Sequence, residues 1–169
     1  LRSLDNPPSR ALGEAEAFVM QTALKRIVDH GTARGARRKG SVYGGKTGTT
    51  DKFDAWFAGF SRERTGVVWI GQDDNTRPLG RGETGGKVAI PVWNAWMPPP
   101  RLGRVSQGFL AGKPKSITDV RIDPKTGLLA LRRGESLKLS FKKGTEPTDT
   151  SARIQRNGDD SVETIEGNF

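Results

Sequence analysis

The stretch Gly44-Gly45-Lys46-Thr47-Gly48-Thr49-Thr50-Asp51-Lys52-Phe53-Asp54-Ala55-Trp56-Phe57-Ala58-Gly59-Phe60 holds two strand-like runs around a short polar link. The first follows Ser41-Val42-Tyr43 and carries a Lys-Thr-Gly triplet, while the second, Ala55 to Phe60, is aromatic and apolar. A third run, Gly66-Val67-Val68-Trp69-Ile70-Gly71, is β-branched and aromatic, as strands favour. The links Thr50 to Asp54 and Ser61 to Thr65 are too short for a parallel crossover, which takes about a dozen residues. The three runs are therefore expected as an antiparallel meander.

Outward from this meander the period changes. Between Glu14 and His30, Ala17, Met20, Leu24, Ile27 and Val28 recur at helical spacing and predict one apolar helix face. Gly31 is expected as the left-handed residue that ends this helix, with Lys25, Arg26 and His30 favoured by the dipole in its last turns. On the other side, a polar glycine-rich segment from Gln72 to Gly86 leads to Val88, Ala89, Val92, Trp93, Trp96 and Met97 at helical spacing. Pro91 falls in the first turn, where its missing N–H matters little, and Pro98-Pro99-Pro100 ends the helix. The predicted class is α+β, an antiparallel three-strand sheet flanked by helices. Trp56, Phe57, Phe60, Trp69, Trp93 and Trp96 are read as packing residues.

The expected organisation is a main part over 1–100, a β-rich trailing segment over 101–144 with strands at Thr118 to Ile122 and Leu128 to Leu131, and a tail over 145–169. The tail carries six acids against Arg153 and Arg156, has few apolar residues, and is expected to be disordered. The rest is strongly basic, since the whole chain has a formal charge of +9. That charge admits an anionic partner, and the run Arg34, Arg37, Arg38, Lys39 keeps a nucleic-acid-binding module open as an alternative. It lacks the interleaved aromatics and recognition helix of such modules, so a solvated loop is the expectation.

Among 169 residues there is no cysteine and a single histidine, which removes disulfides, thiol nucleophiles and zinc sites. Asp73-Asp74-Asn75 lacks the further spaced carboxylates of a calcium loop and reads as a strand-end turn. Neither metal nor cofactor is expected. No run of about 18 apolar residues occurs. The chain opens on Leu1-Arg2-Ser3 without a signal peptide, so it is expected to be part of a longer protein with any targeting signal upstream.

Lys-Thr-Gly occurs twice. Lys125-Thr126-Gly127 follows Asp123-Pro124 and has the chemistry of a hairpin turn. Lys46-Thr47-Gly48 lies in a strand and continues into Thr49 and Thr50. There Gly48 lets a ligand or another backbone approach, Lys46 adds a cation, and the hydroxyls of Thr47 and Thr49 can donate to a carboxylate. On an edge strand, the free N–H groups could also hold an extended peptide or an oxyanion.

The order K-T-G-T-T, D-A-W-F-x-G-F, V-V-W-I-G-x-D-D-N, then G-E-T-G-G-K-x-A-x-P-V-W closely resembles the C-terminal half of the transpeptidase domain of class A penicillin-binding proteins. The similarity runs from about Glu14 to Met97, and the I-D-x-x-T-G-L-L-A form around Ile122 resembles the segment that follows that domain. The resemblance implies a serine-type D-Ala-D-Ala transpeptidase fold and chemistry. By it, Lys46 helps bind the substrate carboxylate and supports the proton network between the catalytic serines, and Thr47 and Thr49 hold the carboxylate of a stem peptide or a β-lactam. The Thr49 N–H serves as one oxyanion arm, Gly48 clears space for the acyl chain, and Thr84 in Thr84-Gly85-Gly86 lies near the groove. The parent is expected at the periplasmic face of the bacterial inner membrane, anchored upstream and bearing a glycosyltransferase domain.

Two parts of the family pattern are missing. The nucleophilic S-x-x-K and the S-x-N motif should precede K-T-G, yet the single S-x-x-K here is Ser140-Phe141-Lys142-Lys143, far downstream, and no S-x-N occurs. No nucleophile is therefore assigned in this chain. Its expected partners are the missing N-terminal half of the domain, peptidoglycan stem peptides and β-lactams. A structural piece without chemistry of its own remains the other alternative.

Overall fold

The computed structural model describes residues 9–51, 53–74, 76–97, 110, 112–131 and 135–151. The chain divides into two compact units, Leu1–Pro114 and Lys115–Phe169.

The first unit opens with helix α1, Glu14–His30, followed by a 3₁₀ turn at Arg34–Ala36 and strands β1 (Gly44–Thr50), β2 (Asp54–Phe60) and β3 (Thr65–Ile70). The strands pair antiparallel in sequence order, with Gly48 opposite Trp56 and Trp56 opposite Trp69. β1 is thus an edge strand among the described residues. Tight links set the register. The β1–β2 turn is closed by the Phe53 N–H on the Thr50 carbonyl at 2.9 Å, and Asp51 takes φ 40°, a left-handed value that aspartate tolerates. In the β2–β3 link the Ser61 hydroxyl accepts from the N–H groups of Glu63 and Arg64.

Strand alternation divides the sheet into two faces. Gly45, Thr47, Thr49, Phe57, Gly59, Gly66 and Val68 look toward the helices. A Cβ on Gly59 would fall 2.9 Å from the Trp93 ring, and one on Gly66 would fall 2.6 Å from Trp96, so these glycines let the C-terminal helix sit directly on the sheet. That helix, α2, spans Ile90–Trp96 and is entered through a π-helical turn, Gly85–Ala89. The wide turn suits Pro91, which has no N–H to give to the ladder.

The core joins Val28 of α1, Ala33, Ala36, Tyr43, Phe57, Ala89, Ile90, Trp93 and Met97. Trp93 is fully buried and meets Tyr43 and Phe57 edge-to-face, with centroids 5.2 and 5.1 Å apart. Each such pair contributes about 0.5–1.5 kcal/mol beyond area burial.

Several expectations change. The buried stripe of α1 is Ala15, Phe18 and Val28, whereas Met20 is 54% exposed. Gly31 ends α1 through its N–H on the Ile27 carbonyl, in an extended conformation rather than the left-handed one. Of the six aromatics read as packing, Phe57 and Trp93 are buried, but Trp56, Trp69 and Trp96 are 40%, 42% and 52% exposed. Trp56 and Trp69 share the face of the sheet opposite the helices, where Trp69 Nε1 donates to Asp54 at 2.8 Å. The Thr32–Gly40 segment is not merely a solvated basic loop: Ala33 and Ala36 belong to the core, and the Arg38 guanidinium donates to the carbonyls of Met97 and Asn94 at the end of α2.

The second unit is built on two antiparallel strands, β4 (Ile117–Ile122) and β5 (Leu137–Lys142). Between them Lys125-Thr126-Gly127 is the expected turn. Gly127 takes φ +71°, its N–H reaches the Asp123 carbonyl at 2.9 Å, and Asp123 Oδ1 accepts from the Lys125 N–H. The predicted strand at Leu128 to Leu131 reduces to single bridges of Leu129 with Ile122 and Thr150, and β5 takes its place beside β4. Within the segment expected to be a disordered tail, Thr145 to Ser151 is hydrogen-bonded: the Leu129 N–H reaches the Asp149 carbonyl and the Ser151 N–H the Leu129 carbonyl. The rest of that segment, 152–169, lies outside the described residues, as do the tail's two arginines and Pro98-Pro99-Pro100.

Candidate functional site

The Lys46-Thr47-Gly48-Thr49 segment occupies the middle of edge strand β1. Thr47 and Thr49 share the helix-facing side, and Gly48 lies between them on the other side, where a Cβ would meet the Trp56 Cβ at 3.3 Å. The two hydroxyls are held from different directions. Thr47 Oγ1 is 2.7 Å from Oγ1 of Thr32, in the loop after α1. Thr49 Oγ1 accepts the Gly85 N–H at 3.3 Å.

Gly85 owes its place to having no side chain. A Cβ there would run into the Trp56 carbonyl and fall 2.6 Å from the Gly48 carbonyl, so only glycine lets this turn rest on the backbones of β1 and β2. Gly86 lets the turn come close to the loop after α1, since a Cβ there would lie 3.1 Å from the Thr32 carbonyl. Thr84 is exposed at the start of this turn, and its carbonyl accepts the N–H groups of Lys87 and Val88 at 2.9 and 3.0 Å. The loop after α1, strand β1 and the Thr84-Gly85-Gly86 turn thus converge on the two threonines.

Lys46 is exposed and projects from the opposite face of β1. Its Nζ donates to the Thr47 carbonyl at 2.6 Å, and the two threonine hydroxyls lie on the other face. Among the described residues no group of three or more His, Asp or Glu is placed to hold a metal. Asp73-Asp74 forms the expected turn: the Thr76 N–H and hydroxyl both donate to Asp74 Oδ1, and these bonds hold its carboxyl below the usual range. Ser140 lies on β5 and donates to Asp119 at 2.7 Å. Lys143 lies in the turn after β5, its N–H on the Ser116 carbonyl at 2.7 Å.

Thr32 is the member of the cluster that sequence reasoning missed. It sits fifteen residues before Thr47, in a loop whose visible signal is charge, and nothing local marks its hydroxyl.

Residues 113–156 match the family model described as penicillin-binding protein 1A, C-terminal domain. Over 144 residues the chain is 39% identical to penicillin-binding protein 1A of Aquifex aeolicus, covering 85% of this chain and 19% of that protein. The corresponding Haemophilus influenzae protein is 44% identical over 113 residues, or 66% of this chain and 13% of its own length. The crystal structure of that Haemophilus protein superposes with a TM-score of 0.64 at 36% identity, covering 83% of this chain and 22% of the other. The chain belongs to the class A penicillin-binding proteins. It spans about a fifth or less of the length of the relatives it matches. Within this penicillin-binding fold, the edge strand and its two threonines stand in the segment that shares the relatives' sequence. No helix among the described residues is long and apolar enough to cross a membrane.

Proposed function

We propose that this chain supplies the carboxylate-binding strand and one oxyanion arm of a serine-type D-Ala-D-Ala transpeptidase acting in peptidoglycan synthesis. One observation carries the reading: Thr47 and Thr49 present their hydroxyls from one face of an edge strand, with bare Gly48 between them. Because Thr49 Oγ1 already accepts from Gly85, its own proton remains to donate to a carboxylate. The free edge of β1 lets an extended stem peptide add as a further strand, and the Thr49 N–H meets the developing oxyanion.

In this reading the serine nucleophile and its base come from residues outside the chain. The serine attacks the penultimate D-Ala carbonyl, the terminal D-Ala leaves as the amine, and the amine of a second stem peptide resolves the acyl-enzyme. A β-lactam acylates the same serine and places its carboxylate on the same two threonines. Lys46 turns from the Thr47 carbonyl toward those serines when the site is complete. The assembled enzyme works at the periplasmic face of the inner membrane, anchored and joined to a glycosyltransferase through other segments. The reading gives nucleic acid no part, and Arg38 of the basic run donates to the carbonyls of Met97 and Asn94 at the end of α2.

The test is the second-order acylation rate of the full-length protein by benzylpenicillin. Thr47→Val and Thr49→Val are each expected to lower it on the order of ten- to a hundredfold, the worth of a hydrogen bond to a charged group. Unchanged rates in both variants would overturn the reading.

A further inference from the structure

We infer that Thr32 is a positioning residue, whose hydroxyl donates to Thr47 Oγ1 and so turns the Thr47 proton toward the substrate carboxylate. The inference rests on the carboxylate-binding role proposed above and extends it to a residue outside the Lys-Thr-Gly strand.

A threonine hydroxyl carries one proton and two acceptor lone pairs. At 2.7 Å the Thr32 and Thr47 hydroxyls share one hydrogen bond, and only one of the two can supply its proton. If Thr47 were the donor, its proton would be spent on Thr32 and would be lost to a ligand. With Thr32 as donor, Thr47 accepts from one side and gives its own proton on the other, and the two bonds polarise each other in the same sense. A carboxylate can only accept, so its arrival selects this second arrangement.

Thr49 shows the same logic with no ambiguity. Its partner is a backbone N–H, which can only donate, so the Thr49 hydroxyl is an acceptor toward Gly85 and a donor elsewhere. The two threonines on one face thus each have a neighbour to fill the acceptor side, one a backbone amide and one a hydroxyl. The approach of Thr32 is itself built in. Its carbonyl sits where a Cβ on Gly86 would come within 3.1 Å, and Ala33 beside it is fully buried. Those packed neighbours hold the exposed Thr32 over Thr47 without a bulky contact of its own.

The experiment compares acylation of the full-length protein by benzylpenicillin and by its methyl ester, which lacks the negative charge. Thr32→Val is nearly isosteric and removes the hydroxyl. It is expected to slow the free acid about three- to tenfold, the worth of one hydrogen bond, and to leave the ester rate unchanged. Thr32→Ser restores the free-acid rate, and Thr32→Val adds little on top of Thr47→Val because both act through one proton. Equal slowing of acid and ester would make Thr32 merely structural and overturn the inference. Full additivity with Thr47→Val, or a free-acid rate that does not fall, would overturn it too. If Thr47→Val itself slows acid and ester alike, the carboxylate reading fails first and the inference with it.

Discussion

At the scale of single residues, the glycines decide whether the threonines are held. Gly85→Ala would push a methyl into the carbonyls of Gly48 and Trp56, two backbones that cannot swing aside as a flexible side chain can. An unfolding titration in urea is expected to show a loss of about 1–3 kcal/mol for this variant. Gly48→Ala meets only the Trp56 Cβ at 3.3 Å on the open face, so it should cost less than Gly85→Ala, and the order of the two midpoints checks the geometry. In the core, Phe57→Ala removes the ring that meets Trp93 edge-to-face, with an expected loss of about 3–5 kcal/mol by the same measurement. The indole N–H of Trp93 is buried with no hydrogen-bond partner among the described residues, and the ring packs edge-to-face on Tyr43 and Phe57.

At the scale of elements, Arg38 joins the loop after α1 to the far end of α2. It satisfies the carbonyls of Met97 and Asn94, which a helix leaves without intrahelical partners. Arg38→Ala is expected to reduce stability by about 1.5–3 kcal/mol, read from thermal unfolding with the Lys39→Ala variant as the exposed control. The turn after β3 responds to pH. Asp74 has a carboxyl pKa held below its ordinary 3.8, first by the Thr76 N–H and then by its hydroxyl. A depressed carboxyl favours the folded turn above 3.8 and loses that contribution as pH falls through the lower folded value. An NMR titration of Asp74 should therefore give a midpoint below 3.8, and a midpoint at or above 3.8 would contradict the turn. These elements also show what the sequence could reveal. The ends of α1 and the meander order were readable, because helical period and short links are local facts. The register of the two Lys-Thr-Gly copies was readable for the same reason: Asp123-Pro124 dictates a turn, and Ser41-Val42-Tyr43 a strand. The buried stripe of α1 and the exposure of Trp56 and Trp69 were not, because which face of an amphipathic element meets a neighbour depends on the partner, not on spacing. Arg38 and Thr32 were hidden for a similar reason, since each contact lies across the chain and a basic loop looks solvated from within.

At the scale of the molecule, the two units differ in how their strands are protected. β2 is hydrogen-bonded on both sides and backed by the aromatic core, whereas among the described residues β4 and β5 pair only with each other apart from the single Leu129 bridge to β4. An isolated two-stranded pair is marginal in water, so β2 amides should exchange with solvent most slowly and those of β4 and β5 markedly faster. Equal protection across both units would show that the second has more support than its own strands give. The site follows the same division of labour. In the proposed function the first unit supplies a carboxylate strand, a bare glycine and an oxyanion donor, while the chain has no S-x-x-K ahead of Lys46. Acyl transfer needs an activated serine as well as a carboxylate grip. In that function this chain is one side of an active site completed from outside it. Fluorescent penicillin is the direct probe: incubated with this chain alone it should leave no covalent label, while the full-length protein takes up one label per molecule and loses most of it with Lys46→Ala. A stoichiometric covalent label on the chain alone would contradict the account.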